Sequence, residues 1–234
     1  MTETMHEPQP SQEVGPELAR TRAIPSRNGR VDARKGRLRA STAAVRKDVL
    51  FVYLSGSIKK GNADDRGDES FWNEDEERRI ISGMTEIQVQ TLNPAKSEIR
   101  RSDYLANFGC DLYLVSISDA VLVDARTRKG IGIGAEMMFA RFEGIPVITI
   151  CPPNSNYRRD FLPGVFGEDL SDWIHPFVAG LSDYIVNDVD EAIDLLNELW
   201  SSGRLVRRPS PDVYEAIAYY HREREALERG PVSS

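Results

Sequence analysis

The segment Gly130-Ile131-Gly132-Ile133-Gly134-Ala135-Glu136-Met137-Met138-Phe139-Ala140 lies between two apolar runs, Asp119-Ala-Val-Leu-Val-Asp124 and Ile145-Pro-Val-Ile-Thr-Ile150. Short apolar runs of this kind read as buried strands, and the segment between them reads as a glycine turn leading into a helix. Strand, glycine loop and helix in that order set one early helical carboxylate, Glu136, at the mouth of a parallel sheet. Ligands of open α/β sheets bind there, beyond the carboxyl ends of the strands. Gly130, Gly132 and Gly134 lack the side chains that would keep a substrate away from the backbone. The register is not G-x-G-x-x-G and no Walker lysine-hydroxyl pair follows, which argues against a standard dinucleotide or ATP site. A Glu in a first helical turn can also simply complement the helix dipole.

The rest of the chain repeats the alternation. Val49–Leu54 reads as a first strand, stopping at Ser55-Gly56-Ser57, and a polar loop follows. Helical spacing from about Ser70 gives Phe71, Ile80, Ile81 and Met84 one buried side, with the Asn-Glu-Asp-Glu-Glu run as its solvated face. Residues 89–92 form a second strand, 101–116 a helix, 119–124 the third strand, 134–142 the glycine-led helix and 146–151 the fourth strand. A Pro-rich loop and a mixed region around Trp173-Ile174-His175-Pro176 come next. Residues 183–187 form a fifth strand. Helices over 189–200, capped by Asp188, and 211–228, with Val213, Ile217, Tyr220 and Leu227 on its apolar side, complete the chain. The expected fold is a Rossmann-like (flavodoxin-like), doubly wound, mainly parallel five-stranded sheet with an extra C-terminal helix.

Residues 1–46 are rich in Pro, Glu, Ser and Arg and cannot bury enough surface to offset ordering, so they are expected to be a disordered, partly basic tail. The expected divisions are thus 1–46, a catalytic domain over 47–203, and a C-terminal helix and tail over 204–234. A formal net charge of -7 and a sequence pI of about 5.2 argue against a general nucleic-acid binder. There is no long apolar run for a membrane span and no signal-peptide core. Cys110 and Cys151 read as buried free thiols in a reducing compartment, and the scattered His6, His175 and His221 show no metal pattern. The expectation is a cytoplasmic protein without metal or organic cofactor.

Tyr53-Leu-Ser-Gly-Ser-Ile58, Ser118-Asp119-Ala-Val-Leu-Val123 and Gly130–Ala140 fall in the order found in the nucleoside 2-deoxyribosyltransferase superfamily, which the chain resembles over roughly residues 49–200. Within it, Gly56-Ser57-Ile58-Lys59-Lys60-Gly61 most resembles the 2'-deoxynucleoside 5'-monophosphate N-glycosidase branch, which includes CMP N-glycosidases. The resemblance implies that Glu136 attacks the anomeric carbon to give a glycosyl-enzyme intermediate. It implies that Asp119 assists departure of the base and that Tyr53 packs under the sugar. Ser55, Gly56, Ser57, Ile58 and Lys59, with Gly130, Gly132 and Gly134, would bind the substrate and its phosphate. Gly130 stands where free-nucleoside transferases carry an aspartate, and Arg126, Arg128 and Lys129 precede it; amides and cations there would welcome a phosphate. Lys59 replaces the usual Arg and loses its bidentate geometry. A neighbouring subunit completes such sites, with Asn154, Asn156, Ser171 and His175 as the candidates here, so the resemblance implies a homodimer or higher oligomer. Asp124 and Asp111 are weaker candidates, read as a strand end and a helix surface.

The expected activity is hydrolysis of the N-glycosidic bond of a (deoxy)nucleoside 5'-monophosphate. Base transfer, a non-catalytic nucleotide sensor and an NAD-cleaving effector stand as alternatives.

Overall fold

The computed structural model describes residues 48–59, 70–100, 102–165, 167–208 and 212–229. The expected disordered tail, 1–46, lies outside the described residues. Five all-parallel strands, β1 (Val49–Ser55), β2 (Gln88–Leu92), β3 (Ala120–Asp124), β4 (Val147–Ile150) and β7 (Tyr184–Val186), lie in the order β2-β1-β3-β4-β7. This is the doubly wound α/β fold expected from the alternation. β3 and β4 are buried at every position, as parallel strands covered on both faces require.

Side chains of alternating parity divide between two cores. Leu50, Val52, Leu54, Leu122 and Ile148 pack against α1 (Glu74–Gly83) and α5 (Val189–Ser201). Tyr53, Val121, Val123 and Val147 pack against α2 (Tyr104–Ile117), α3 (Ile131–Phe142) and α4 (Pro176–Leu181). Because β2 and β3 flank β1 on opposite sides, the winding reverses at β1/β3, and a crevice opens beyond the carboxyl ends of those two strands.

Several local expectations are corrected. α1 starts at Glu74, not near Ser70, because the Asn73 side chain accepts Glu76 N–H and the Glu76 carboxylate accepts Asn73 N–H, closing a capping box. Ile81 is exposed, whereas Glu76 and Glu77 of the supposedly solvated run are buried. Glu77 is held by Thr91, Asn93 and Lys96 at 3.1, 2.7 and 3.0 Å, which satisfies a carboxylate taken out of water. α3 begins at Ile131, so Gly132 and Gly134 are helical, not part of a loop. The mixed region is an antiparallel hairpin, β5 (Arg158–Val165) with β6 (Glu168–Ile174), followed by α4. The C-terminal helix α6 (Asp212–Arg229) forms as expected, but Tyr214, Ile217, Tyr219 and Tyr220 are exposed.

Candidate functional site

Ile133, Met137 and Ala140 dock α3 on the sheet, and that rotation turns Glu136 toward the end of β1. Ser55 Oγ donates to Glu136 Oε2 at 2.5 Å, and both residues are buried. Tyr53 lies two residues before Ser55 and so on the same face of β1. It is fully buried, yet its hydroxyl has no hydrogen-bond partner among the described residues. A buried phenol is normally satisfied, and the polar group that this one acts on is the Glu136 carboxyl.

Burial pushes the Glu136 carboxyl up to about 7. The Ser55 hydrogen bond opposes that rise, the negative charge of Asp111 adds to it, and the Tyr53 hydroxyl, near but outside hydrogen-bonding geometry, opposes it weakly. Tyr53 itself is driven above the ordinary phenol range by burial and then by the charge of Glu136. Among the described residues, the groups that act on this enclosed acid are the Ser55 and Tyr53 hydroxyls and the Asp111 carboxylate, and burial dominates. That is the condition of a carboxylate kept reactive rather than neutralised.

The structure corrects the role expected of Asp119. Its Oδ2 accepts Phe51 N–H at 3.0 Å and its own N–H donates to Phe51 O at 2.7 Å. Phe51 sits four residues before the carboxyl end of β1, so Asp119 anchors the amino-terminal edge of the sheet, away from Glu136. The second carboxyl beside the site is Asp111, projected from α2, whose charge acts on both Glu136 and Tyr53. From the sequence it is a weaker candidate, read as helix surface. A signal was available: an acid that precedes a strand lies at the end remote from ligands, whereas α2 packs beside α3.

On the other face of the same sheet edge, Asp124 is fully buried among cations. Arg126 Nε donates to Asp124 Oδ1 at 2.9 Å and also bonds Glu76, while Lys129 Nζ donates to Asp124 Oδ2 at 2.9 Å and to Ser70 O and Oγ at 2.7 Å. Burial would raise the Asp124 carboxyl, but Arg126 and Lys129 outweigh it and hold it below the ordinary carboxylate range. The Lys129 side chain is 2% exposed. Arg126 and Lys129 are therefore bound up in this cluster, and the expectation that they face a substrate phosphate is corrected. The cluster also braces the site: the Arg126 guanidinium lies 5.6 Å over the Trp72 ring, and Trp72 Nε1–H donates to Ser55 O at 3.0 Å. Trp72 presses so close to Gly56 that a Cβ there would lie 2.8 Å from the indole, which is why that position is glycine.

Gly56, Ser57, Ile58 and Lys59 line a cleft of about 180 Å3 with Trp72 and Asn93, and Lys59 is exposed there. Gly130 caps α3 without a side-chain hydrogen bond, so the first amides of the helix are not capped by its side chain. Asn154 bonds Asp160 in the loop after β4, Ser171 is exposed on β6, and His175 caps α4. None of these three is among the residues found around Glu136. Among the described residues, no group of three His, Cys, Asp or Glu is arranged to hold a metal, and no helix is long and apolar enough to cross a membrane.

No protein-family model matches the chain, and no curated protein matches it. Among solved structures, it is similar to a 2-desoxiribosyltransferase from Leishmania mexicana, with 13% identity and a TM-score of 0.43 over 64% of this chain and 97% of that one.

Proposed function

We propose that this protein is an N-glycosidase that cleaves the base from a nucleoside 5'-phosphate, with Glu136 as nucleophile. The carrying observation is the enclosed Glu136 carboxyl, held by Ser55, beside the unsatisfied Tyr53 hydroxyl. A carboxylate without a cation stabilises an oxocarbenium-like transition state and can bond to it. In the first step, an oxygen of Glu136 bonds to C1' as the C1'–N bond breaks. The base leaves with the bonding pair and takes up a proton, for which Asp111 is the neighbouring carboxyl. In the second step, water bonds to C1', the ester breaks, Glu136 regains its electron pair, and the water's spare proton returns to the carboxyl that gave one up. In this reading the Tyr53 hydroxyl meets the sugar.

The uncapped start of α3 and the exposed Lys59 support a phosphate at the 5' end. Water completes the reaction in this reading, and a free base completes it in the transferase alternative. The reading includes a cytoplasmic protein and a homodimer, and the exposed Tyr104, Leu105 and Phe108 of α2 support the association of two copies.

The test is chromatographic. Free base should appear from a nucleotide with wild type and not with Glu136→Ala, and added acceptor base should leave its rate unchanged. Turnover equal in both proteins would sink the mechanism, and base exchange would convert it to transfer.

A further inference from the structure

A second recess, of about 360 Å3, opens on the flank of α3 that faces α4. Val123, Ile133 and Met137 form its apolar part, and Tyr157, His175 and Phe177 bring aromatic rings. The His175 ring meets Tyr157 edge-on at 5.7 Å and 89°, and lies 6.1 Å from Phe177. Its polar atoms are specific. The Tyr157 hydroxyl accepts Lys129 N–H at 2.9 Å and keeps its own proton to give. His175 Nδ1 accepts Phe177 N–H at 3.3 Å, so the neutral ring carries its proton on Nε2. An apolar slot with aromatic sides and two donors suits a flat heteroaromatic ring whose edge carries acceptors.

The slot adjoins the Glu136 site. Val123 pairs with Ser55 across β3 and β1, and Ile133 and Met137 flank Glu136 along α3. Gly130, at the start of α3, borders the slot too. The two flanks of one helix stand about 10 Å apart, a span that a sugar-phosphate linker crosses.

We propose that this recess holds the second ring of a dinucleotide-class substrate, one whose 5' phosphate is esterified and leads away from Glu136 around the start of α3. The inference rests on the glycosidase reading above and names its substrate class. Wild type and Phe177→Ala would be assayed for base release from NAD and from adenosine and cytidine monophosphates. Phe177 is largely exposed, so its truncation leaves the fold intact, as a thermal melt would confirm.

The expected result is a KM for NAD below that for either monophosphate, raised about tenfold in Phe177→Ala, an effect of about 1.4 kcal/mol, with the monophosphate KM unmoved. Release from monophosphates but not NAD, or equal KM changes for both, overturns the second-ring site and leaves the glycosidase standing. Release from nothing overturns the glycosidase reading instead. NAD binding to Glu136→Gln by calorimetry then decides the recess: affinity weakened tenfold by adding Phe177→Ala supports it, and unchanged affinity overturns it.

Discussion

Asp124 and Glu136 close the same edge of the sheet from its two faces, both buried and both carboxylic acids. Asp124 is surrounded by a guanidinium, an ammonium and a serine hydroxyl, while among the described residues Glu136 meets the hydroxyls of Ser55 and Tyr53, with a second acid nearby. One is held below the ordinary carboxylate range and the other is raised to about 7. Burial is common to the pair, so the partners make the difference. The same burial thus gives two carboxyls opposite ionisation, according to what the chain places around each.

The contrast can be broken in order of expected effect. Replacing Glu136 by Ala should lower base release by roughly a thousandfold or more, about 4 kcal/mol of transition-state stabilisation, with thermal stability retained. Replacing Asp124 by Ala should instead act on the fold, costing about 3–5 kcal/mol in urea unfolding because the buried Lys129 ammonium loses the carboxylate it pairs with and Arg126 keeps only Glu76. A cost near zero would mean that water screens the cluster.

The two acids also give stability opposite dependence on pH. Asp124, depressed in the folded state, contributes stability that is present above its unfolded pKa and lost as pH falls through its lower folded value. Glu136, raised, holds its proton more tightly in the folded state, so stability declines as pH climbs from the ordinary carboxylate range through about 7. Glu136→Gln should remove that decline, adding on the order of 3 kcal/mol at pH 8 and almost nothing at pH 4. Melting curves at both values check it. The smallest effect belongs to Ser55→Ala. Loss of the stronger of the two hydroxyl interactions that favour the ionised form should move the acid limb of kcat/KM, expected near pH 7, upward by about one pH unit.

The sheet was legible because β1, β3 and β4 are covered on both faces and so read as unbroken apolar runs. The hairpin β5–β6 was not, since Arg158–Ile174 is largely exposed and mixes Pro, Gly and charge. Glu76 and Glu77 looked like solvent-facing charge, as their partners Arg126 and Lys96 are 50 and 19 residues away. Glu136 could be found from its place after the glycines. Its neighbours were harder: Ser55 and Tyr53 came with the strand end, whereas Asp111 reaches the site only through the packing of α2 on α3.

Trp72 gives the molecule a fluorophore tied to the Ser55–Glu136 pair. The indole N–H is tied to the carbonyl of the residue whose hydroxyl holds Glu136, with Arg126 over the ring. Any event that shifts Ser55 changes the polarity this indole senses. The light emitted by Trp72 is thus an intrinsic optical record of what happens at the carboxyl end of β1, readable without a label.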